Sequence, residues 1–288
     1  MKNYYMGCPS WGNKDWIGSL FARGTSPKSM LMHYSNVFNT VEGNTTFYAL
    51  PNASTVQRWI EESADDFKFT FKFPRTISHD LKLRHCQGEV NQFLQLIEPI
   101  GSKIGQLWLQ LPPNFSFQHF QQLKQFIAAL PKEFEICIEV RHLDFYDEGD
   151  KENQWQDFLI TEAINWVHFD TAALFELNAD EPSIIDAQKK KPNMPTRFTA
   201  TGKNPFLRFI AGNDPEHCQQ RIEIVAHQVS QWIELGKTPY IMIHTPNCIY
   251  CPETARVFHD KLAEKVTVGT LTDWNEQHKP DQEQMDLF

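Results

Sequence analysis

No apolar run in the sequence approaches the roughly 18 residues that a membrane-spanning helix needs. Both common phosphate loops are missing. The turn Gly7-Cys8-Pro9-Ser10-Trp11-Gly12 does not read GxGxxG, and GxxxxGK[ST] occurs nowhere. Dense metal-ligand spacings such as HxH or HExxH are also lacking. Basic residues are outnumbered, with 27 Lys and Arg against 36 Asp and Glu for a net charge of -9. A protein that holds nucleic acid by bulk electrostatics needs the opposite balance. No secretory leader is visible, because Met1-Lys2-Asn3-Tyr4-Tyr5 runs straight into an apparent strand. With its six cysteines scattered, the chain reads as a reduced, cytoplasmic protein.

What is present suits a large core. Hydrophobic residues make up 41% of the chain, aromatic residues 13% and charged residues 22%. Eight short apolar or alternating runs stand out: Tyr4–Cys8, Val37–Glu42, Lys68–Phe73, Ile104–Gln110, Glu135–Glu139, Trp166–Asp170, Phe206–Ile210 and Tyr240–His244. Their β-branched and aromatic content and their turn-residue flanks predict strands. Between them lie stripes at helical spacing: Val90, Phe93, Leu94 and Ile97; Phe120, Leu123, Phe126, Ile127 and Leu130; Ile222, Val225, Ala226, Val229, Trp232 and Ile233. Ser54 offers a hydroxyl cap for a helix through Ile60, and Thr254–Leu262 supplies a closing helix. Eight βα units without a phosphate loop predict a single (β/α)8 TIM-like barrel of parallel strands with outer helices. It is assigned to residues 1–274, followed by a polar, flexible tail over 275–288. The polar stretch Asn178–Thr201, with Lys189-Lys190-Lys191-Pro192, reads as a long βα loop on the functional face.

In such a barrel the C-terminal strand ends carry the chemistry. They carry Glu42 and Asn44, Lys72, Gln110, Glu139 with Arg141 and His142, Asp170, Arg208, and His244 with Asn247. Glu42, Lys72, Glu139 and Asp170 are the candidate catalytic groups, the carboxylates serving as general acid or base. Lys72, Arg141 and Arg208 suit a carboxylate or phosphate, Asn44, Gln110 and Asn247 suit hydroxyls and carbonyls, and His142 and His244 are further substrate-binding candidates. Trp11 and Tyr48 can wall the cleft. Glu42, Glu139, Asp170, His142 and His244 are alternatively a divalent-metal set. Cys8, Cys248 and Cys251 converge if strand eight neighbours strand one, as a redox pair or a metal or cluster site. No cofactor is required by the sequence.

Several strand-end strings are distinctive together: Gly7-Cys8-Pro9-Ser10-Trp11 with Trp16, Thr40-Val41-Glu42-Gly43-Asn44-Thr45-Thr46-Phe47-Tyr48, Phe69-x-Phe71-Lys72-x-Pro74 with Ile77-Ser78-His79, Leu109-Gln110-Leu111-Pro112-Pro113 and Ile138-Glu139-Val140-Arg141-His142. With these strings the chain resembles the family catalogued as domain of unknown function 72, the YecE-like proteins. The resemblance implies the same barrel and the rim positions Trp11, Glu42, Asn44, Tyr48, Lys72, Gln110, Glu139, Arg141 and Arg208, and no reaction. Two departures are visible: Gly43 stands where a larger apolar residue is common, and strand seven lacks an Arg-x-His-Gly run. The last residues, Gln284-Met285-Asp286-Leu287-Phe288, resemble peptides that dock on the bacterial sliding clamp, with Gln284, Leu287 and Phe288 as the partner-binding positions. Three functions follow as expectations: an enzyme acting on a polar anionic small molecule, a clamp-tethered protein acting on nucleic acid or nucleotide products, and a non-catalytic ligand- or partner-binding barrel. An open rim holding an anion favours the first, paired metals beside carboxylates the second, and an occluded, internally satisfied rim the third.

Overall fold

A computed structural model of the chain describes residues 4–274. Strands form where β-branched and aromatic residues alternate: β1 Tyr5–Gly7, β2 Thr40–Gly43, β3 Lys68–Lys72, β4 Ile104–Gln110, β5 Glu135–Glu139, β6 Asn165–Asp170, β7 Phe206–Ile210 and β8 Tyr240–His244. All ladders are parallel, in the order β1-β8-β7-β6-β5-β4-β3-β2. The result is a nearly closed TIM-like barrel surrounded by helices. Among the described residues no helix is long and apolar enough to cross a membrane.

The seam between β1 and β2 is stitched largely by side chains. Asn39 accepts from the Met6 N–H at 2.8 Å and donates to the Tyr4 carbonyl at 2.9 Å, standing in for a strand residue. The Tyr34 hydroxyl accepts from the Cys8 N–H at 2.7 Å and donates to the Thr40 carbonyl at 3.0 Å. One backbone bond, Glu42 N–H to the Cys8 carbonyl at 3.1 Å, completes the join. Gly7 permits the approach, because a Cβ there would lie 1.9 Å from the Thr40 oxygen. The same holds at Gly43, where a Cβ would meet the Thr70 oxygen at 2.1 Å. A larger residue at that position therefore requires a different path for β2.

The interior is layered. Trp108, Cys137, Val167, Phe206, Tyr240 and Met242 form an apolar plug between two polar levels. Below it Glu135, Gln106, Asn165 and Asn204 satisfy one another, with Asn165 Nδ2 2.7 Å from Glu135 and 3.1 Å from Gln106. Above it, at the C-terminal strand ends, lies the charged level. The larger apolar core fills the space between sheet and helices.

Several local expectations change. Val37 closes the helix Met30–Val37 instead of opening β2, which begins at Thr40. The helix Ala53–Glu62 is capped by Asn52, whose side chain accepts from the Thr55 N–H, while Ser54 only donates to that cap. The stretch 178–201 contains a helix, Pro182–Lys190, opened by its proline. The helix Asp150–Thr161 buries only Glu152, Trp155 and Leu159, a stripe too sparse to read from periodicity.

Candidate functional site

Strand alternation turns Glu42, Lys72, Gln110, Glu139, Arg208 and His244 to the barrel's upper interior, where each is buried. Arg208 is the hub. Its Nε and Nη2 bind Glu42 at 2.8 and 3.1 Å, and its Nη1 binds Glu139 at 2.9 Å. Its guanidinium is held between the rings of Trp108 and Phe169, 4.5 and 4.8 Å from their centroids. Arg141 Nε binds the other Glu139 oxygen at 2.6 Å, and its Nη2 reaches Gln110 Oε1 at 3.1 Å. Glu42 also accepts from Asn44 at 2.8 Å and meets His244 Nε2 at 2.9 Å.

Both carboxylates are committed anions. Burial opposes the charge, but Arg208 and His244 hold Glu42 well below the usual carboxylate range. Arg141 and Arg208, with Lys72, likewise lower Glu139. Burial drives His244 down to about 4, so it is neutral, and since a carboxylate only accepts, its proton sits on Nε2.

Lys72 is the exception. Its ammonium bonds a neutral amide, Gln110 Oε1, at 2.7 Å and lies over the rings of Phe47 and Trp108 at 4.0 and 4.4 Å. Burial first and the neighbouring Arg208 second lower it from 10.5 to about 7. Gln110 Oε1 thus faces two cations with no charge of its own. Among the described residues Arg141 spends two of its five N–H groups on Glu139 and Gln110, which leaves three for a ligand. At 17% its side chain is also the more exposed part of the ring.

The remaining sequence candidates lie elsewhere. Phe169 faces the ring, so Asp170, the next residue, points away from it. Asp170 pairs with Arg221 through both oxygens at 2.9 Å and, with Thr196, anchors the segment that follows the helix Pro182–Lys190. His142 caps the turn Leu143–Tyr146, and Asn247 caps Cys248–Tyr250. Trp11 packs edge-on against Trp59 and Phe69, and Tyr48 is exposed beside Phe47. Among the described residues no three His, Cys, Asp or Glu are placed to hold a metal ion. Gln284, Leu287 and Phe288 lie outside the described residues.

Two further groups join the site. Thr171 Oγ1 bonds the Pro192 carbonyl at 3.2 Å, which helps set Lys191 over the rim. Burial first and Arg208 second lower Lys191 to about 8, with Glu42, Arg141 and Cys248 also within its field. His79 packs edge-on against Phe47 at 5.0 Å, and burial plus Lys72 hold it neutral, at about 4. The Ile77-Ser78-His79 string marked His79 in the sequence, whereas nothing distinguished Lys191 from its two lysine neighbours.

The model of the family described as "Protein of unknown function DUF72" matches residues 5–280. The chain is 37% identical over 258 residues to UPF0759 protein YecE of Escherichia coli (strain K12), covering 90% of this chain and 92% of that protein. UPF0759 protein YunF of Bacillus subtilis (strain 168) is 24% identical over 226 residues, covering 73% and 70%. A solved DUF72 family protein of Enterococcus faecalis V583 superposes with a TM-score of 0.69 at 16% identity, covering 94% of this chain and 98% of that one. One from Thermotoga maritima MSB8 gives 0.68 at 21% identity, covering 90% and 99%.

Proposed function

The chain belongs to the DUF72 family, and from that premise we propose that it is an enzyme whose barrel rim takes a small anionic molecule, with the Lys72 amine as the proton-transfer group. The observation that carries this reading is the uncompensated positive charge. Glu42 and Glu139 are balanced by Arg208 and Arg141, so among the described residues Lys72, on the Gln110 amide oxygen, and Lys191, within the field of the same ring, stand in excess. An anion there would bond the free Arg141 N–H groups, neutralise the surplus and raise both lysines. Glu42 and Glu139 then act as fixed charges that hold the guanidiniums in place. Proton transfer near neutrality falls to Lys72, poised where a base works best.

The saturated carboxylates and buried ring favour a second reading, a barrel that binds the anion without transforming it. One experiment addresses both. A library of carboxylate and phosphate metabolites is screened by thermal shift against the wild-type chain, Lys191→Gln and Arg141→Gln. The expected result is a stabiliser among the anions whose shift falls by at least half in both variants. Equal shifts in all three proteins, or stabilisation only by neutral or cationic compounds, contradicts the anionic site. Mass spectrometry of the stabilising compound after incubation separates turnover from simple binding.

A further inference from the structure

The Cys-x-x-Cys that follows β8 has a geometry the ring does not use. Cys248 is exposed at the start of the turn Cys248–Tyr250, and Cys251 is fully buried as the first residue of the helix Cys251–Ala263. The two side chains are near enough to influence each other's ionisation, and both cysteines are free thiols. The buried Trp16 indole donates to the Cys248 carbonyl at 2.9 Å, which fixes that backbone relative to the barrel. Cys251 Sγ also lies 3.2 Å from Thr245 Oγ1, whose own proton is spent on the Asn247 carbonyl at 2.6 Å. The hydroxyl is therefore left to accept from the thiol.

We propose that Cys248 and Cys251 form a reversible dithiol–disulfide site on the rim, with Cys248 as attacking thiolate, Cys251 as resolving thiol and a low-molecular-weight disulfide as co-reactant. The asymmetry is what such chemistry needs: an accessible sulfur to attack and a sheltered one to resolve. The groups that face Cys248 support it. Once Cys248 is ionised the single Cys251 proton can turn from Thr245 to it, and the Lys191 ammonium favours the anion, which together outweigh burial and Glu42 and bring Cys248 down to about 7. Burial keeps Cys251 and Cys8 protonated.

The step balances as follows. The Cys248 thiolate attacks one sulfur of the small disulfide, and the S–S bond breaks to release one thiolate. Cys251 then gives up its proton and attacks the Cys248 sulfur, which expels the second thiolate. Two protein thiols are oxidised to one disulfide, and one small disulfide is reduced to two thiols. The pair needs nothing from whatever ligand the ring holds.

The test uses the full chain and 2-hydroxyethyl disulfide. Intact mass should fall by about 2 Da, as expected for one intramolecular disulfide. A peptide map should place that link between Cys248 and Cys251, and excess thiol should restore the mass. In Cys251→Ser the reagent should remain attached at Cys248, and Cys248→Ser, altered at an exposed position, should neither link nor carry an adduct there. Iodoacetamide alkylation of wild-type Cys248 should reach half its maximal rate near pH 7, against about 8.5 for an ordinary thiol. A stable adduct on the wild-type chain with no loss of mass, a link through Cys8, or a midpoint at the ordinary value overturns the proposal.

Discussion

Arg208→Met is expected to destabilise the fold by about 3–5 kcal/mol at pH 7, enough to lower Tm by roughly 5–12 °C in a chain of this size. The cost arises from what the substitution leaves behind. Glu42 and Glu139 are buried, and Arg208 supplies three of the bonds that satisfy them. Without it two carboxylates remain buried above Trp108, their hydrogen bonds among the described residues reduced to those with Asn44, His244 and Arg141. The pH dependence has a definite sign. Arg208 holds both acids low, so its contribution is present above the ordinary carboxylate range and fades as pH falls through their depressed values. The deficit of the variant should therefore shrink in acid. Adding Glu42→Gln and Glu139→Gln to Arg208→Met should recover most of the loss, because neutral amides need no counter-charge. Chemical denaturation of the single and triple variants at pH 4 and 7 checks both statements.

Lys72→Met moves stability the other way. Below pH 7 the wild-type fold keeps a buried ammonium whose partners are one amide and two ring faces. A lysine lowered from 10.5 to about 7 costs on the order of 4–5 kcal/mol when fully charged, at 1.36 kcal/mol per unit. Part of that is offset by the contacts the side chain makes, so the methionine variant should gain about 2–4 kcal/mol at pH 6. Between pH 7 and 10.5 the unfolded chain carries this proton and the folded chain does not, so wild-type stability rises with pH across that window. The advantage of the variant should correspondingly disappear by the upper end of that window. Ligand stabilisation and any turnover should be lost in the same protein. A residue that costs stability and is needed for binding separates a working site from an ion-pair network kept for the fold.

Strand periodicity carried most of the architecture. β4, β5, β7 and β8 have the bounds their apolar runs predict, because strands buried on both faces leave little freedom in where the ladder begins. The ring was legible as well, since Glu42, Lys72, Gln110, Glu139, Arg208 and His244 all fall on the inward parity. Asp170 was grouped with them by position along the strand, and one residue of parity carries it to the other face. Lys191 was hidden by a different cause. Its place over the rim depends on long-range anchors, Thr171 to Pro192 and Arg221 to Asp170 and Thr196, that leave no pattern in a polar segment. The partners of Glu42 and Glu139 were equally invisible, although they decide that these acids stay ionised and that the lysine is the group left to titrate.

The titration of Lys72 itself tests this most directly. In protein labelled with 13C at lysine Cε, the Lys72 signal, assigned by its loss in Lys72→Met, should titrate with a midpoint near 7. It should move upward when the stabilising anion is added, because the ligand's charge favours the ammonium. A midpoint above 10 in the free protein, or one that an anion leaves unchanged, would contradict the assignment of Lys72 as the proton-transfer group of an anion-binding rim.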